Sequence, residues 1–483
     1  MAGAWRPEVV ARLAQIVGAE QVLTAPEDLY VYGYDGTAML HHAPRAVVDI
    51  TDTAQIAPVV RLAGELGFKL IPRGAGSGLS GGSVPVDDAV IMVLTRLNRI
   101  LEIDEANLTA MVEPGVITEV LHAAVEARGL FYPPDPGSGK ISTLGGNIAE
   151  NSGGLRGLKY GLTKDYVMGL EVVLPNGETI WSGNKCVKDA AGYDLKHVFI
   201  GSEGTLGIFT KALLKLIPRP AAKRTMVAYF DSMRAAAEAV SAIIAARVIP
   251  ATLEFLDQVT MQCVEDYAKL GLRTNYGALL LIEVDGHAQQ VADEAATVTQ
   301  VCEACGAREF ALAADPAEAL RMAAARRVAF TALARVRPTT ILEDATVPRS
   351  KLPEMIDVIE AAAARHRLWI GTFGHAGDGN LHPTILTDER DTDEIARVEL
   401  AFTDIFEGAL ALGGTISGEH GTGTVKMPFL ARQYDDPTLT MMRTLKAMLD
   451  PNEILNPGKV LQPGRRFGER TAVEIEQILG APA

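Results

Sequence analysis

Pro72-Arg-Gly-Ala-Gly-Ser-Gly-Leu-Ser-Gly-Gly82 is the stretch on which the reading of this chain turns. It follows directly on a compact strand-helix-strand unit. Ala46-Val-Val-Asp-Ile50 is strand-like, Ile56, Val59, Val60, Ala63 and Leu66 recur at helical spacing, and Lys69-Leu-Ile-Pro72 resumes an extended pattern. Glycines at this density permit positive φ and let the backbone approach a ligand closely. The next apolar segment, Ala89 to Leu94, is again strand-like. Gly76-Ser-Gly78-Leu-Ser-Gly81 formally matches G-x-G-x-x-G, but that fingerprint needs a helix N-terminus facing the pyrophosphate, and here Val84-Pro85 and a strand follow. A nicotinamide site of that type is disfavoured. Nor is Gly139-Lys140 a P-loop, because Pro134 and Ile141 stand where glycine and Ser or Thr belong. What remains is a nest of backbone N–H groups able to hold a phosphate without a helix, set against plain turn chemistry.

Outward from this loop, two more glycine-rich stretches lie in the same unit: Ser142-Thr-Leu-Gly-Gly-Asn-Ile-Ala-Glu-Asn-Ser-Gly-Gly154 and Gly201-Ser-Glu-Gly-Thr-Leu-Gly-Ile208. Three such loops point to several backbone segments converging on one extended polar ligand; the alternative is three unrelated turns. Asn176-Gly177, between Glu171-Val-Val-Leu174 and Glu178-Thr-Ile-Trp181, predicts a hairpin. Ile217-Pro-Arg-Pro220 cannot continue a central strand and marks a boundary. Beyond it, strand-like Thr225 to Phe230, Ala251 to Leu256, Ala278 to Val284 and Arg308 to Ala311 bracket helical stretches at Ser232 to Ala246 and Gln289 to Cys302, the β-α-β-β-α-β order of a ferredoxin-like sheet. A further helix fits between the two inner strands. After Val425, short helices mix with Pro428, Pro437, Pro451, Pro457 and Pro463, which predicts a tail packed back on the body.

Whole-chain quantities bound the function. With 483 residues, about three units are expected. Apolar residues at 48% and charged residues at 22% are those of a folded chain with extensive cores. A net charge of −15 opposes a nucleic-acid footprint, so DNA and RNA are excluded as expected partners. Four cysteines, Cys186, Cys263, Cys302 and Cys305, are too few and scattered for a disulfide framework, and a reducing, cytoplasmic compartment fits. Cys302-Glu-Ala-Cys305 has no second pair at zinc-ribbon spacing and reads as structural burial. Arg6, Glu8, Arg12 and Glu20 interrupt the apolar N-terminus, so no signal peptide is expected, and no apolar run approaches the ~18 residues of a membrane span.

The second unit carries the other concentration of chemistry. Gly374-His-Ala-Gly-Asp-Gly-Asn-Leu-His382 and Ser417-Gly-Glu-His-Gly421 hold three of the nine histidines. Two imidazoles and a carboxylate make a ligand set for a divalent transition metal with open positions for substrate, and zinc, iron and manganese all suit it. A lone histidine is more often structural; this glycine-flanked group favours a site. Arg326-Arg327 reads as a solvated helix face unless its helix abuts the histidines, where an Arg fork can bind a carboxylate.

Taken in order, these motifs, together with Pro134-Asp-Pro136, Lys159-Tyr-Gly-Leu-Thr163 and Asn456-Pro-Gly-Lys459, resemble the FAD-linked dehydrogenases of the vanillyl-alcohol oxidase superfamily, in the branch of glycolate oxidases and D-lactate dehydrogenases. The resemblance spans nearly the whole chain. It implies an α+β architecture: a PCMH-type FAD-binding domain at 1–218, a ferredoxin-like substrate (cap) domain with the metal site at 219–425, and a C-terminal helical segment at 426–483 returning to the FAD domain. It implies that Arg73, Gly74, Ala75, Gly76, Ser77, Gly78, Leu79 and Gly82 hold the FAD pyrophosphate. Pro134, Asp135, Ser142, Gly145, Gly146, Asn147, Asn151, Gly153, Glu203, Gly204 and Ile208 then line the rest of the cofactor, with Asn456 near the isoalloxazine. Covalent members often carry histidine where Ser77 stands, so FAD is expected to be non-covalent. The same resemblance implies His375, His382 and Glu419 as ligands of a divalent metal (Zn, Mn or Fe), His420 as general base and Arg326 as carboxylate anchor.

The implied reaction is oxidation of a small D-2-hydroxy acid to the 2-oxo acid, with hydride passing to flavin N5. Thr384 stands where some relatives acting on larger acids carry Asn, which leans towards D-lactate or glycolate. Glu419 and His420 are neighbours that would point oppositely on a regular strand, and Gly418 and Gly421 are the residues to turn both inward. With no iron–sulfur cysteine run, the acceptor is expected to be external: an iron–sulfur subunit, an electron-transfer flavoprotein or a soluble acceptor. Membrane association, at the inner membrane, would run through such a partner. Two other readings compete: a metal-dependent hydrolase using the two histidines and Glu419, and a non-catalytic flavin subunit of an electron-transfer complex. Flavin absorbance separates the first, since a hydrolase has no use for the glycine loops; substituting His420 separates the second.

Overall fold

A computed structural model describes residues 8–461. Residues 1–7, with Arg6, and residues 462–483, with Pro463 and most of the expected C-terminal segment's end, lie outside the described residues.

The first strand-helix-strand unit forms as its apolar spacing predicts. Strands Ala46–Asp49, Ala89–Val93 and Lys69–Arg73 pair in parallel, and the two-residue strand Val22–Leu23 adds an antiparallel edge, giving the order Val22–Leu23, Ala46–Asp49, Ala89–Val93, Lys69–Arg73. Helix Ile56–Leu66 lays Ile56, Val59, Val60 and Ala63 against this sheet and ends on Gly67 in the left-handed region, the usual solution where a helix must stop without a Cβ clash. The C-terminal tail packs back here: Leu455 bridges in parallel to Leu70, and Asn456 N–H donates to Leu70 O at 2.8 Å.

A five-stranded antiparallel sheet follows, ordered Ile100–Asp104, Thr109–Val112, Ile208–Lys215, Val167–Val173, Thr179–Gly183. The Asn176-Gly177 hairpin is present: Val173 pairs with Thr179, and Gly177 adopts φ 78° at the turn. Ile217–Pro218 closes this half against Leu130–Phe131.

From Ala222 the chain builds one eight-stranded antiparallel sheet. Its first four strands, Glu309–Leu312, Ala222–Phe230, Ala278–Gly286 and Thr252–Asp257, lie side by side in the order 4-1-3-2 of a ferredoxin-like unit, with helices Met233–Ala245, Gln258–Ala268 and Ala288–Ala304 where the pattern predicts them. The sequence pattern ends the sheet there. The structure continues it: Thr252–Asp257 pairs with Trp369–His375, which forms a hairpin with Asn380–Thr387, joined in turn by Thr339–Leu342 and Ala345–Thr346. The glycines that make 374–382 look like a loop confine its turn to Ala376–Asp378, leaving both flanking arms fully paired. A large core of buried apolar side chains between the sheet and helices Met233–Ala245, Ala288–Ala304, Leu352–His366 and Thr392–Ala411 fixes this half.

Candidate active site

The first glycine loop lies across the second stretch, and this contact explains one of its glycines. A Cβ on Gly74 would sit 2.3 Å from Thr143 Oγ1. Thr143 is occupied elsewhere: its hydroxyl caps the helix Leu144–Glu150 by accepting from Gly146 N–H. The second stretch is therefore a short capped helix, where its composition suggests a loop; Thr143 at the N-cap and Asn151 in the left-handed C-cap position outweigh two interior glycines. The third stretch is a tight turn with Glu203 at φ 51° and Gly204 at φ 70°.

Between the two halves lies a cavity of ≈ 600 Å³. Arg73 to Leu79, Gly82, Ser142, Gly145, Gly146, Asn147, Glu203, Gly204 and Ile208 line it, and so do Arg326, His375, His382, Glu419 and His420 from the other half. The glycine cradle and the histidine cluster, hundreds of residues apart in places, share one chamber. Pro134, Asp135, Asn151, Gly153 and Asn456 lie outside its wall. Pro134 O meets His122 Nε2 at 2.9 Å, Asp135 pairs with Arg156 at 3.5 Å, and Asn151 Oδ1 accepts from Lys164 N–H. Gly153 packs on Glu419, whose Oε2 would be 2.7 Å from an added Cβ. Asn456 stands behind the cradle, donating from Nδ2 to Gly82 O at 2.8 Å and to Glu203 O at 2.6 Å, so it clasps the first loop to the third.

The residues present suit a dinucleotide. Apolar walls from Leu79, Ile208 and Phe209 flank the glycine backbone, and the buried Arg73 Nη1 has no hydrogen-bond partner in the protein, an orphaned cationic donor of the kind a diphosphate satisfies.

The strand Trp369–His375 delivers His375 and its partner Asn380–Thr387 delivers His382, placing the two imidazoles 5.2 Å apart, edge to face. Glu419 Oε1 closes the group, 2.9 Å from His375 Nε2 and 3.3 Å from His382 Nε2. One donor atom from each residue lies within 4.8 Å of the others. Two nitrogens and one carboxylate oxygen so gathered fit a divalent ion with open coordination positions. Glu254 holds His375 from behind, its Oε1 2.8 Å from Nδ1, the carboxylate support that turns Nε2 forward. Burial disfavours the cationic form of His375, but Glu254 and Glu419 outweigh it and raise the group to about 10. His382, with less support, is pushed by burial down to about 3.

Arg326 is not a free fork. Its Nε donates to Glu254 Oε2 at 2.5 Å, and its guanidinium lies 4.6 Å from the Phe373 ring centroid. Glu254 thus ties the arginine and the histidine into one unit, with Arg326 Nη2 also 3.5 Å from His375 Nε2, and the other guanidinium nitrogen is left for a carboxylate in the cavity. His420 stacks on His382 at 5.0 Å, and burial lowers its pKa, so the ring is neutral and able to accept a proton.

Both Glu419 and His420 face the cavity because their segment is a turn. Gly421 adopts φ 77°, and a Cβ on Gly418 would lie 2.3 Å from Thr346 Oγ1. The turn is held by a residue that sequence reasoning missed: Asp344 Oδ2 accepts from Gly418 N–H at 2.7 Å, Glu419 N–H at 2.8 Å and His420 N–H at 3.3 Å, while its Oδ1 pairs with the buried Lys426. Glu254, Asp344 and Lys426 are buried charges inside otherwise ordinary stretches, and only their partners in space mark them. Of the cysteines, all four are free, and Cys302 is fully buried as expected of a packing residue.

Comparison with known proteins places this geometry. Residues 219–460 match the family "FAD linked oxidases, C-terminal domain", and residues 44–183 match "FAD binding domain". A glycolate oxidase subunit GlcD of Bacillus subtilis is 51% identical over 92% of this chain and 95% of its own length. A D-lactate dehydrogenase of Anaerostipes hadrus is 35% identical over 93% of this chain and 96% of its own length. Among solved structures, p-cresol methylhydroxylase with substrate bound superposes with TM-score 0.79 at 19% identity, covering 94% of this chain and 96% of that one, a likeness of fold.

Proposed function

As a member of the FAD-linked oxidase family, in the branch of glycolate oxidases and D-lactate dehydrogenases, the chain is an FAD-linked oxidoreductase, and we propose that it oxidises a small D-2-hydroxy acid such as D-lactate or glycolate to the 2-oxo acid. The observation that carries this reading is the shared cavity, whose wall includes both the glycine cradle and Arg326, His375, His382, Glu419 and His420. In this division the cradle falls in the unit 1–218, the cluster in 219–425, and the clasp, Asn456, in the segment that begins at 426.

In this reading Arg326, oriented by Glu254, binds the substrate carboxylate and so fixes which face of C2 is presented. His420, held by the Asp344-bound turn, takes the hydroxyl proton. His375, His382 and Glu419 would hold a divalent Zn, Mn or Fe ion. When bound, FAD would accept the hydride and a divalent ion would lower the pKa of the substrate hydroxyl; Ser77, in place of a histidine, favours non-covalent FAD. Thr384 is fully buried outside the cavity wall, its hydroxyl donating to His382 O at 3.2 Å, so it offers a substrate no contact and does not bear on the length of the acid. The reduced enzyme hands electrons to an external acceptor, an iron–sulfur subunit or an electron-transfer flavoprotein; the Bacillus relative is named as a subunit. No helix among the described residues is long and apolar enough to cross a membrane. In this reading the protein is cytoplasmic and meets the inner membrane through that partner or a surface patch.

The test is anaerobic. Purified holoprotein should be yellow and bleach with D-lactate or glycolate but not L-lactate, and a chelator should slow the bleaching. Full-rate bleaching by metal-free protein would remove the metal from the reading; a colourless protein would favour the hydrolase alternative.

A further inference from the structure

Among the described residues, the carboxyls in the wall of the main cavity are Asp35, Glu150, Glu203 and Glu419. All but one are committed. Asp35 accepts from Thr37 N–H at 2.9 Å and Ser83 N–H at 3.3 Å, and Glu203 accepts from Thr422 N–H at 2.6 Å and Gly423 N–H at 2.7 Å. Glu419 meets His375 and His382. Glu150 differs: neither of its oxygens has a hydrogen bond or an ion pair among the described residues, and Oε2 is buried. A carboxyl so placed costs free energy until a ligand satisfies it.

The position of Glu150 points to what that ligand presents. As the last residue of the helix Leu144–Glu150, it sets its carboxyl between the glycine cradle and the turn that carries Glu419 and His420. On the cradle side, an added Cβ would lie 3.2 Å from Glu150 Oε1 at Gly82 and 3.7 Å from it at Gly78. On the other side, a Cβ on Gly421 would lie 2.2 Å from Oε2. The cradle and Arg73 suit the diphosphate of FAD, and between diphosphate and flavin ring FAD carries a ribityl chain with a hydroxyl on each inner carbon.

We propose that Glu150 is a binding residue for FAD, its carboxyl meeting a ribityl hydroxyl midway between the cradle and the histidine cluster. From the reading of the reaction above it takes only that the flavin ring faces that cluster. A hydroxyl donates and accepts, and so does a neutral carboxyl. The surroundings favour the neutral form: burial, then Glu203 and Asp35, hold Glu150 well above the ordinary carboxylate range, with Lys426 opposing. A neutral group also adds no repulsion beside a diphosphate.

The experiment needs no substrate. Full-length holoprotein is dialysed against FAD analogues that each lack one ribityl hydroxyl, and displacement of FAD gives their relative affinities. In the native protein one analogue should bind about 10-fold more weakly than FAD, the scale of one hydrogen bond. Glu150→Ala should bind FAD about 10-fold more weakly than the native protein does and should not distinguish that analogue from FAD, a coupling that a merely structural role does not produce. Glu150→Gln, which keeps a donor and an acceptor, should restore the distinction. Native protein that binds every analogue as tightly as FAD overturns the proposal, even where Glu150→Ala does not fold. Glu150→Ala that discriminates as the native protein does overturns it too. Bleaching by a hydroxy acid is a separate measurement, so failure of the substrate reading and failure of this contact are distinguishable.

Discussion

Replacing Asp344 by Asn keeps the shape of the side chain and removes only its charge. Asp344 Oδ2 accepts three successive backbone N–H groups at 2.7, 2.8 and 3.3 Å, and Oδ1 pairs with Lys426, the Asp344 and Lys426 side chains both being fully buried. Hydrogen bonds to a charged group are worth about 1.5–3 kcal/mol each. An amide retains an acceptor oxygen but weakens all three, and the –NH₂ group it introduces faces a cation. Lys426 is left with Glu343 at 3.5 Å, and breaking one arm of a buried ion pair costs about 3–5 kcal/mol. The loss should therefore be about 3–5 kcal/mol by urea denaturation of the metal-loaded holoprotein. Because the weakened turn is the one that presents Glu419, metal affinity measured by chelator competition should fall together with it, about 10–100-fold, as for other supporting partners of metal ligands. Glu419 itself is untouched, so its side chain can still reach the metal once the turn is formed. A variant with wild-type unfolding and wild-type metal affinity would refute the claim that Asp344 is what holds the turn.

Four further outcomes follow from the same geometry. His420→Ala should retain FAD, seen by its absorbance, while the D-lactate- or glycolate-driven bleaching rate falls about 10²–10⁴-fold; an unchanged rate would remove His420 as base. Arg326→Lys forfeits the Nε bond to Glu254 and the planar fork, and kcat/KM should drop about 10–100-fold, the 1.5–3 kcal/mol of a charge-assisted bond, with KM carrying most of it. Asn456→Ala leaves Gly82 O and Glu203 O without their donor, at about 1–3 kcal/mol each, and should raise the FAD dissociation constant in equilibrium dialysis. Asp257 is raised by burial from 3.8 to about 6, despite bonds from Thr260 and Thr372 N–H. The folded carboxyl thus holds its proton where the unfolded one has lost it, so this residue's contribution is full below 3.8 and is lost as pH rises towards about 6, about 3 kcal/mol at 1.36 per unit. Asp257→Asn should flatten that part of the stability–pH curve, and an unchanged slope in urea titrations would rule the assignment out.

The amino-acid order by itself determined what depends on near neighbours. Apolar spacing fixed the parallel unit from Ala46 to Val93 and the 4-1-3-2 strand set, Asn176-Gly177 fixed its hairpin, and the glycine loop and the two histidine motifs announced a ligand cradle and a metal-type ligand set because each packs its chemistry into a few consecutive residues. Only the tertiary structure decided the rest. The sheet runs past its ferredoxin-like four strands because Thr252–Asp257 finds a partner more than a hundred residues away, and Leu144–Glu150 is a helix because a threonine cap outweighs local glycine propensity. Glu254, Asp344 and Lys426 carry no local signature: an isolated Glu, Asp or Lys reads as solvated surface. What makes each of them matter is burial beside a specific counter-charge, a property of the folded chain in three dimensions that no window of sequence contains.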